Sequence, residues 1–382
     1  MDADLDPGST RRAYLDHAST SPLRPAALTA MCAALEGVGA DPGRIHHEGM
    51  VARVALEQAR EQVAELLGAR PREVVFTSGA TESIATACHG AHERDPDRAH
   101  SVLAAVEHSA VRQCAERGPT TVVGVDGLGR VDPDELLGAV RPDTALVHLQ
   151  WGNHEVGTLQ PVAEVIGRCR EAGVLVHVDA AQAVGRVPVD FRSSGADLMS
   201  VSGHKFGGPP GTGVLLVRRG LRLAPLLVGG DQERARRAGM ENVAALVGLG
   251  AAALEVAGSL DDECAHQRRL TDRVVAWADR AEGITVLGDP VERLPHLVCL
   301  GIEGIEPQPV LLGLDAAGVA VHSGSSCSTE SLEPSPVLEA MGVDADRSLR
   351  VSVGWSSTDD DIDLLLRRLP EVLERLRSLR SA

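Results

Sequence analysis

Apolar residues fall in short runs separated by longer amphipathic stretches. The runs are E-V-V-F (73–76), S-V-L-A-A-V (101–106), T-A-L-V-H-L (144–149), V-L-V-H-V (174–178), L-M-S-V-S (198–202) and G-V-L-L-V (213–217). They are rich in β-branched residues and too short for helices. Between most of them the apolar spacing is helical, as in 161–172. The alternation predicts an α/β domain built on a mostly parallel sheet. The runs are continuous rather than alternating, which predicts strands covered on both faces.

Downstream, 241–282 is Ala- and Leu-rich and reads as helix, with a change of domain inside it. Strand signals return at I-T-V-L (284–287), H-L-V-C-L (296–300) and L-R-V-S-V (349–353). From Thr358 onward, a polar cap, three acidic residues and a periodic Leu stripe predict an amphipathic terminal helix. A chain of 382 residues suits a large domain with a smaller companion. The expected division is 13–258 for the large domain, with 1–12 and 259–382 forming the small one.

Composition narrows the partners. The net charge is -17. Such a chain is repelled by phosphate backbones, which argues against direct nucleic-acid binding. Aromatic residues make up only 2% of the chain, so its core is expected to be Ala, Val and Leu. The seven cysteines include no C-x-x-C pair, which argues against a disulfide framework and a structural zinc site; no metal is expected. The N-terminus is acidic and polar, and no apolar run is read as membrane-spanning. A cytoplasmic protein without a membrane partner is the expectation.

In open α/β sheets, ligands bind where strands end. After 73–76 comes T-S-G-A-T-E-S, a turn and helix start whose free N–H groups suit a phosphate. After 101–106 comes Glu107-His108, and after 144–149 come Asn153 and His154. After 174–178 come Asp179 and Gln182, and after 198–202 comes Gly203-His204-Lys205 in a Gly/Pro-rich loop. Each is ordinary alone. Together they offer what pyridoxal 5'-phosphate (PLP) requires: a phosphate cradle, a carboxylate for the pyridine nitrogen, a ring to stack on and a lysine to bond its aldehyde. The glycines around Lys205 are expected to let the backbone approach the cofactor.

The motifs Y-L-D-H-A-S-T-S-P (14–22), F-T-S-G-A-T-E-S (76–83), E-H-S-A-V (107–111), H-V-D-A-A-Q (177–182), S-G-H-K (202–205) and S-G-S-S-C-S-T-E-S-L-E-P-S-P-V-L-E-A-M-G (323–342) resemble the NifS/IscS-type cysteine desulfurases. The resemblance implies the type I aminotransferase fold, a homodimer, and conversion of L-cysteine to L-alanine. The sulfur is left as a persulfide and passed to an acceptor protein. It implies that Lys205 bonds PLP and moves the substrate Cα proton. Asp179 would face the pyridine nitrogen, Gln182 the ring oxygen, and His108 the ring face. Ala80, Thr81, Ser202 and His204 would hold the phosphate, and Arg350 the substrate carboxylate. Cys327, in a loop spanning 323–334, would accept the sulfur. Its Ser/Gly-rich surroundings support that role, since an accepting thiolate must be exposed, whereas the other cysteines sit in surroundings that read as buried.

The segment Asp41-Pro42-Gly43-Arg44 departs from the N-P-S-S-type segment of the family it resembles, and two further departures stand out. His154 replaces an Asn that touches the cofactor in most relatives, and Met240 replaces a Thr that reaches the phosphate across the dimer. Weaker PLP retention is expected. The chain also resembles the desulfurase of the bacterial DNA phosphorothioation system. It ends soon after the terminal helix, which leaves a dedicated partner or an iron–sulfur assembly partner open. The alternatives are a selenocysteine lyase, an aminotransferase, or a non-catalytic relative that binds a partner.

Overall fold

A computed structural model of the chain describes residues 11–323, 334–345 and 347–380. Among the described residues there are twelve strands: β1 Ala13–Tyr14, β2 Val74–Thr77, β3 His100–Ala104, β4 Thr120–Val123, β5 Thr144–Gln150, β6 Leu175–Asp179, β7 Leu198–Ser202, β8 Gly213–Val217, β9 Ile284–Leu287, β10 Leu297–Ile302, β11 Val319–Ala320 and β12 Ser348–Ser352. Seven of them form one sheet in the order β2-β8-β7-β6-β5-β3-β4. Strands β7, β6, β5, β3 and β4 run parallel, and β8 is antiparallel to both its neighbours. Every residue of β2, β3, β5, β7 and β8 is buried, as the continuous apolar runs predict. The α/β class and mostly parallel sheet are as expected.

Pattern reading missed β1, β4 and β11. The two-residue strands β1 and β11 are too short to carry a period, and they pair in parallel across the chain, Ala13 with Val319. Strand β4 is T-T-V-V on the sheet edge, mostly half-exposed, so its composition is mixed.

Two large apolar clusters form, beside a smaller third in which Val75, Leu146, Leu198, Leu215 and Val217 of the large sheet pack with Ala87 and Ala91. The first surrounds the large sheet and includes Leu246, Leu249, Ala252, Ala253 and Val256. The second gathers Ala13, Leu15, Leu270, Val274, Leu300, Val351 and the Ile362, Leu365, Leu369, Leu373 stripe of the terminal helix. One helix, Val243–Ala278, feeds both clusters. At 36 residues it is about 54 Å long. It includes an 18-residue window of mean hydropathy 1.8, long and apolar enough by composition to cross a membrane, contrary to the sequence expectation. Half of that window is buried within the protein, which accounts for its apolar composition. The helix packs on the helices Pro25–Gly37 and His47–Leu66. A Cβ at Gly250 would lie 2.8 Å from the Ala59 Cα, so a small residue is required at that crossing.

The terminal helix, Asp359–Arg380, starts as its sequence predicts. Thr358 donates from both its N–H and its hydroxyl to Asp361, at 2.8 Å each.

The sheet core also contains polar groups. His148 Nδ1 lies 3.1 Å from His177 Nδ1, and His177 Nε2 lies 2.6 Å from Ser200 Oγ. Burial pushes His177 down to about 3 and holds His148 well below the usual range. An unfolded chain takes up protons near pH 6.5 that the folded His177 refuses, so its contribution is present above pH 6.5 and fades as pH falls toward 3. We expect His177 alone to remove about 2 kcal/mol of stability between pH 7 and pH 5. Thermal melts across that range check this. A His177→Gln protein whose melting temperature is as acid-sensitive as the wild type would assign the loss elsewhere.

Candidate active site

A cavity of about 490 Å³ opens at the carboxyl ends of the central strands. The residues expected to bind the cofactor line it: Ala80 and Thr81 after β2, His108 after β3, His154 after β5, Asp179 and Gln182 at and after β6, and Ser202, His204 and Lys205 at and after β7; Glu107 and Asn153, which also follow strands, do not. Arg350 of β12 closes it, and Ala18 and Ser19 contribute backbone from the N-terminal segment. Cys327 and most of its loop lie outside the described residues.

Lys205 sits in a single 3₁₀ turn, Gly203–Phe206, between β7 and β8. Its Nζ donates to the carbonyls of Ala18 at 2.5 Å and Ser19 at 2.9 Å. Burial pushes its ammonium down to about 8, and the charges of Arg350 and Arg186 push the same way against Asp16 and Asp179. Its carbonyl is fixed as well, accepting from Ser21 Oγ and Arg186 Nη2 at 3.0 Å each. The turn is held from outside by Arg24, whose Nε donates to the Phe206 carbonyl at 2.8 Å.

Two of the loop glycines are dictated by packing against protein, while Gly211 lines the cavity. A Cβ on Gly203 would sit 2.3 Å from Thr212 Oγ1. Gly207 has φ +89 and would press on Arg24. Close packing against protein dictates these two positions. Gly213 has a related role: a Cβ there would meet Gly79 Cα at 2.4 Å, so β8 admits the turn after β2 only as glycine.

That turn leads into the helix Ala80–Arg94, whose Gly79 N-cap provides no side-chain cap. Its first N–H groups therefore face the cavity beside Ser78, Thr81, Ser202 and His204. Burial would raise the nearby Glu82 carboxyl, but Arg237 at 2.9 Å and the Ser78 N–H hold it low. Arg237 thereby offsets an acid at the uncapped helix start that lines the cavity. Met240 is 68% exposed and lines a smaller recess that shares Ser78 and Gly211 with the main cavity.

His108 caps the helix Ser109–Ala115, its Nδ1 accepting from the Ala110 N–H at 3.1 Å. The ring proton therefore resides on Nε2. Burial, followed by His154, pushes it down to about 4, so it is a neutral imidazole. His154 meets it edge-on, with centroids 5.0 Å apart, and its Nε2 lies 3.5 Å from Glu155 Oε1. Asn153 takes no part in the cavity wall; its side chain donates to the Val106 carbonyl and closes the turn by accepting from the Glu155 and Val156 N–H groups. Gln182 donates to the Ala18 carbonyl at 2.8 Å, while its Oε1 accepts from His296 Nε2 at 3.1 Å, which fixes the amide orientation. Asp179 is 8% exposed and accepts from the Ala181 N–H at 3.0 Å.

Several participants escaped the sequence reading. Glu107 is fully buried, and burial followed by the charge of Asp179 pushes its carboxyl up to about 8. One of its oxygens accepts from the Gln150 N–H at 2.7 Å and the other has no partner among the described residues. His296, Arg186, Arg24 and Asp16 act across long sequence separations. The assumption that the other cysteines are buried is corrected: Cys88, Cys169 and Cys299 are, but Cys114 and Cys264 are half-buried and Cys32 is exposed. Cys32 lies on the outward face of the helix Pro25–Gly37, whose buried residues are Ala27 and Ala34. Among the described residues no cluster of His, Cys, Asp and Glu could hold a metal.

The donor set fits PLP. An uncapped helix start with hydroxyls suits the phosphate, a buried carboxylate suits the pyridine nitrogen, an imidazole can lie on the ring, and a buried lysine of lowered basicity suits the aldehyde. The chain matches the class-V aminotransferase family over residues 13–365. It is 38% identical to the cysteine desulfurase IscS of Methanosarcina thermophila, over 96% of this chain and 93% of that one. A solved NifS-like protein superposes with a TM-score of 0.89 at 31% identity, covering 95% of this chain and 99% of the other. The solved structure of SspA in complex with cysteine superposes at 0.79 with 28% identity, covering 91% and 100%. The chain belongs to the class-V aminotransferase family, among the PLP-dependent cysteine desulfurases of the NifS/IscS type.

Proposed function

We propose that the protein takes sulfur from L-cysteine, releases L-alanine, and passes the sulfur from Cys327 to an acceptor protein. The observation that supports this most is the cavity itself, where Lys205, Asp179, Gln182, His108 and an uncapped helix start line one volume in a chain of desulfurase kinship. PLP, when bound, supplies a covalent hold on the substrate amine and an electron sink that acidifies the Cα–H. Ala80, Thr81, Ser202 and His204 would hold its phosphate. Asp179 would keep its nitrogen protonated, and Gln182 would bond its ring oxygen.

Lys205 performs the proton transfer. With its ammonium lowered to about 8, its Nζ can stand uncharged near neutral pH and accept the Cα proton. His108, neutral and with its proton on Nε2, can donate toward a departing group without a change of pH. Arg350 would bind the substrate carboxylate. The sulfur goes to a protein rather than to nucleic acid directly, because a net charge of -17 opposes a phosphate backbone. The working form is a homodimer. Leu28, Leu35, Ile45, Met50 and Val54 leave an exposed apolar stretch on and between the helices Pro25–Gly37 and His47–Leu66, which a second copy would cover.

Wild type and Cys327→Ala, mixed with L-cysteine without reductant, test this. Alanine release and one added sulfur on the wild type are expected. Cys327→Ala should lose both and keep the visible absorption of bound PLP. Absence of alanine from both proteins would refute the proposal.

A further inference from the structure

Arg350 is committed inside the protein before any substrate arrives. It is 1% exposed. Its Nη1 donates to the His154 carbonyl at 2.8 Å. Its Nη2 donates to Ser19 Oγ at 2.8 Å and to Asp16 Oδ1 at 3.1 Å. Its Nε is buried and has no partner among the described residues. Ser19 Oγ in turn donates to Asp16 Oδ1 at 2.9 Å. Asp16 is itself tethered, because its backbone bridges to Ser352 on the same strand as Arg350.

The Nε–Nη2 edge of a guanidinium is a two-donor fork that matches both oxygens of a carboxylate. Asp16 uses only one of these donors. An α-carboxylate could take both, and two charge-assisted bonds outweigh one. We propose that Asp16 is an internal competitor for the substrate carboxylate, holding the Arg350 fork in the free enzyme and yielding it to an incoming α-carboxylate. The proposal rests on the reading of Arg350 as the carboxylate site.

The pair bears on the lysine as well as on the anion site, because Arg350 lowers the basicity of Lys205 while Asp16 raises it. The same segment caps Lys205 Nζ through the carbonyls of Ala18 and Ser19. One short stretch, 16–19, thus holds both the Arg350 fork and the Lys205 amine. The competition weakens substrate binding by the worth of one ion pair, a deliberate cost of keeping a buried arginine satisfied.

The test uses the full-length holoenzyme with Asp16→Asn. The KM for L-cysteine and the equilibrium dissociation constant of L-alanine are measured together. Both should fall about fivefold, the equivalent of about 1 kcal/mol of lost competition. Binding of cysteamine, which has no carboxylate, should not change. Ser19→Ala removes the latch on Asp16 without altering any charge and should shift both constants in the same direction by less. Constants that stay level or rise in both variants would overturn the proposal and make Asp16 a support for Arg350, a role whose loss would also depress kcat. Arg350→Gln separates the two readings: if it leaves the alanine dissociation constant unchanged, the carboxylate role of Arg350 fails and the proposal with it.

Discussion

Lys205→Ala is expected to lose turnover by on the order of 10³-fold or more, since proton transfer by a placed group alone contributes 10²–10⁴. The covalent hold on the cofactor goes with it. Lys205 reaches into the cavity from a turn whose four carbonyls, 204 to 207, are all bonded: to the Ser21 N–H, to Ser21 Oγ and Arg186, to Arg24 Nε, and to the Arg24 N–H. No other lysine exists to substitute, because Lys205 is the only one in the chain. Borohydride reduction followed by mass analysis should leave cofactor on the Lys205 peptide of the wild type and nowhere in the variant. Lys205→Arg would preserve charge and bulk but not the chemistry, because a guanidinium does not give up its proton. Turnover within tenfold of wild type in either variant would remove Lys205 from the mechanism. In the cofactor-free wild type, the rate of amine modification at Lys205 should rise with a midpoint near its lowered value of about 8.

The strands were legible because the sheet is buried on both faces. A strand covered on both faces must be an apolar run, and L-M-S-V-S and G-V-L-L-V are β7 and β8 to the residue. The cavity followed from the same logic, since chemistry-bearing residues sit just past those runs. The interactions that tune them were hidden for a physical reason. Asp16 and Arg350 are 334 positions apart, and no local period connects them. His296 fixes Gln182 across 114 positions. Arg24, next to Pro25, is buried at 1% exposure beneath Glu255 and Glu263, more than 230 positions away. The sequence does not say why glycine stands near Lys205, because a flexible loop and a crowded one need the same residue. Only the neighbours, Thr212 and Arg24, reveal which it is.

Glu233→Gln is expected to cost about 3 kcal/mol and to loosen the Ser78–Gly79 turn that lines the cavity. Glu233 and Arg60 form a two-bond ion pair at 2.6 and 2.7 Å, with side chains 1% and 2% exposed. The remaining capacity of Glu233 Oε2 goes to the Phe76 N–H at 2.9 Å, at the end of β2 and just before the Ser78–Gly79 turn. The same residue begins a left-handed stretch: Glu233, Arg234 and Ala235 have φ of 48, 60 and 60. None of the three is glycine, and each left-handed L-residue costs about 1–2 kcal/mol. The ion pair is what offsets that strain, so its loss should release the stretch as well as leave Arg60 buried without its main partner. Arg60 keeps the Val74 carbonyl at 3.2 Å, Glu57 at 3.3 Å and the face of Phe76, which limits the loss to the low end for a broken buried pair. Denaturant unfolding measures the stability, and the PLP dissociation constant, expected to rise, measures the turn. The double change Arg60→Met with Glu233→Gln removes the stranded charge and should recover much of the stability but not the PLP affinity, since the Phe76 N–H still lacks its carboxylate. If the double variant is as unstable as the sum of the singles, the two side chains are not coupled and the strain is held by something else.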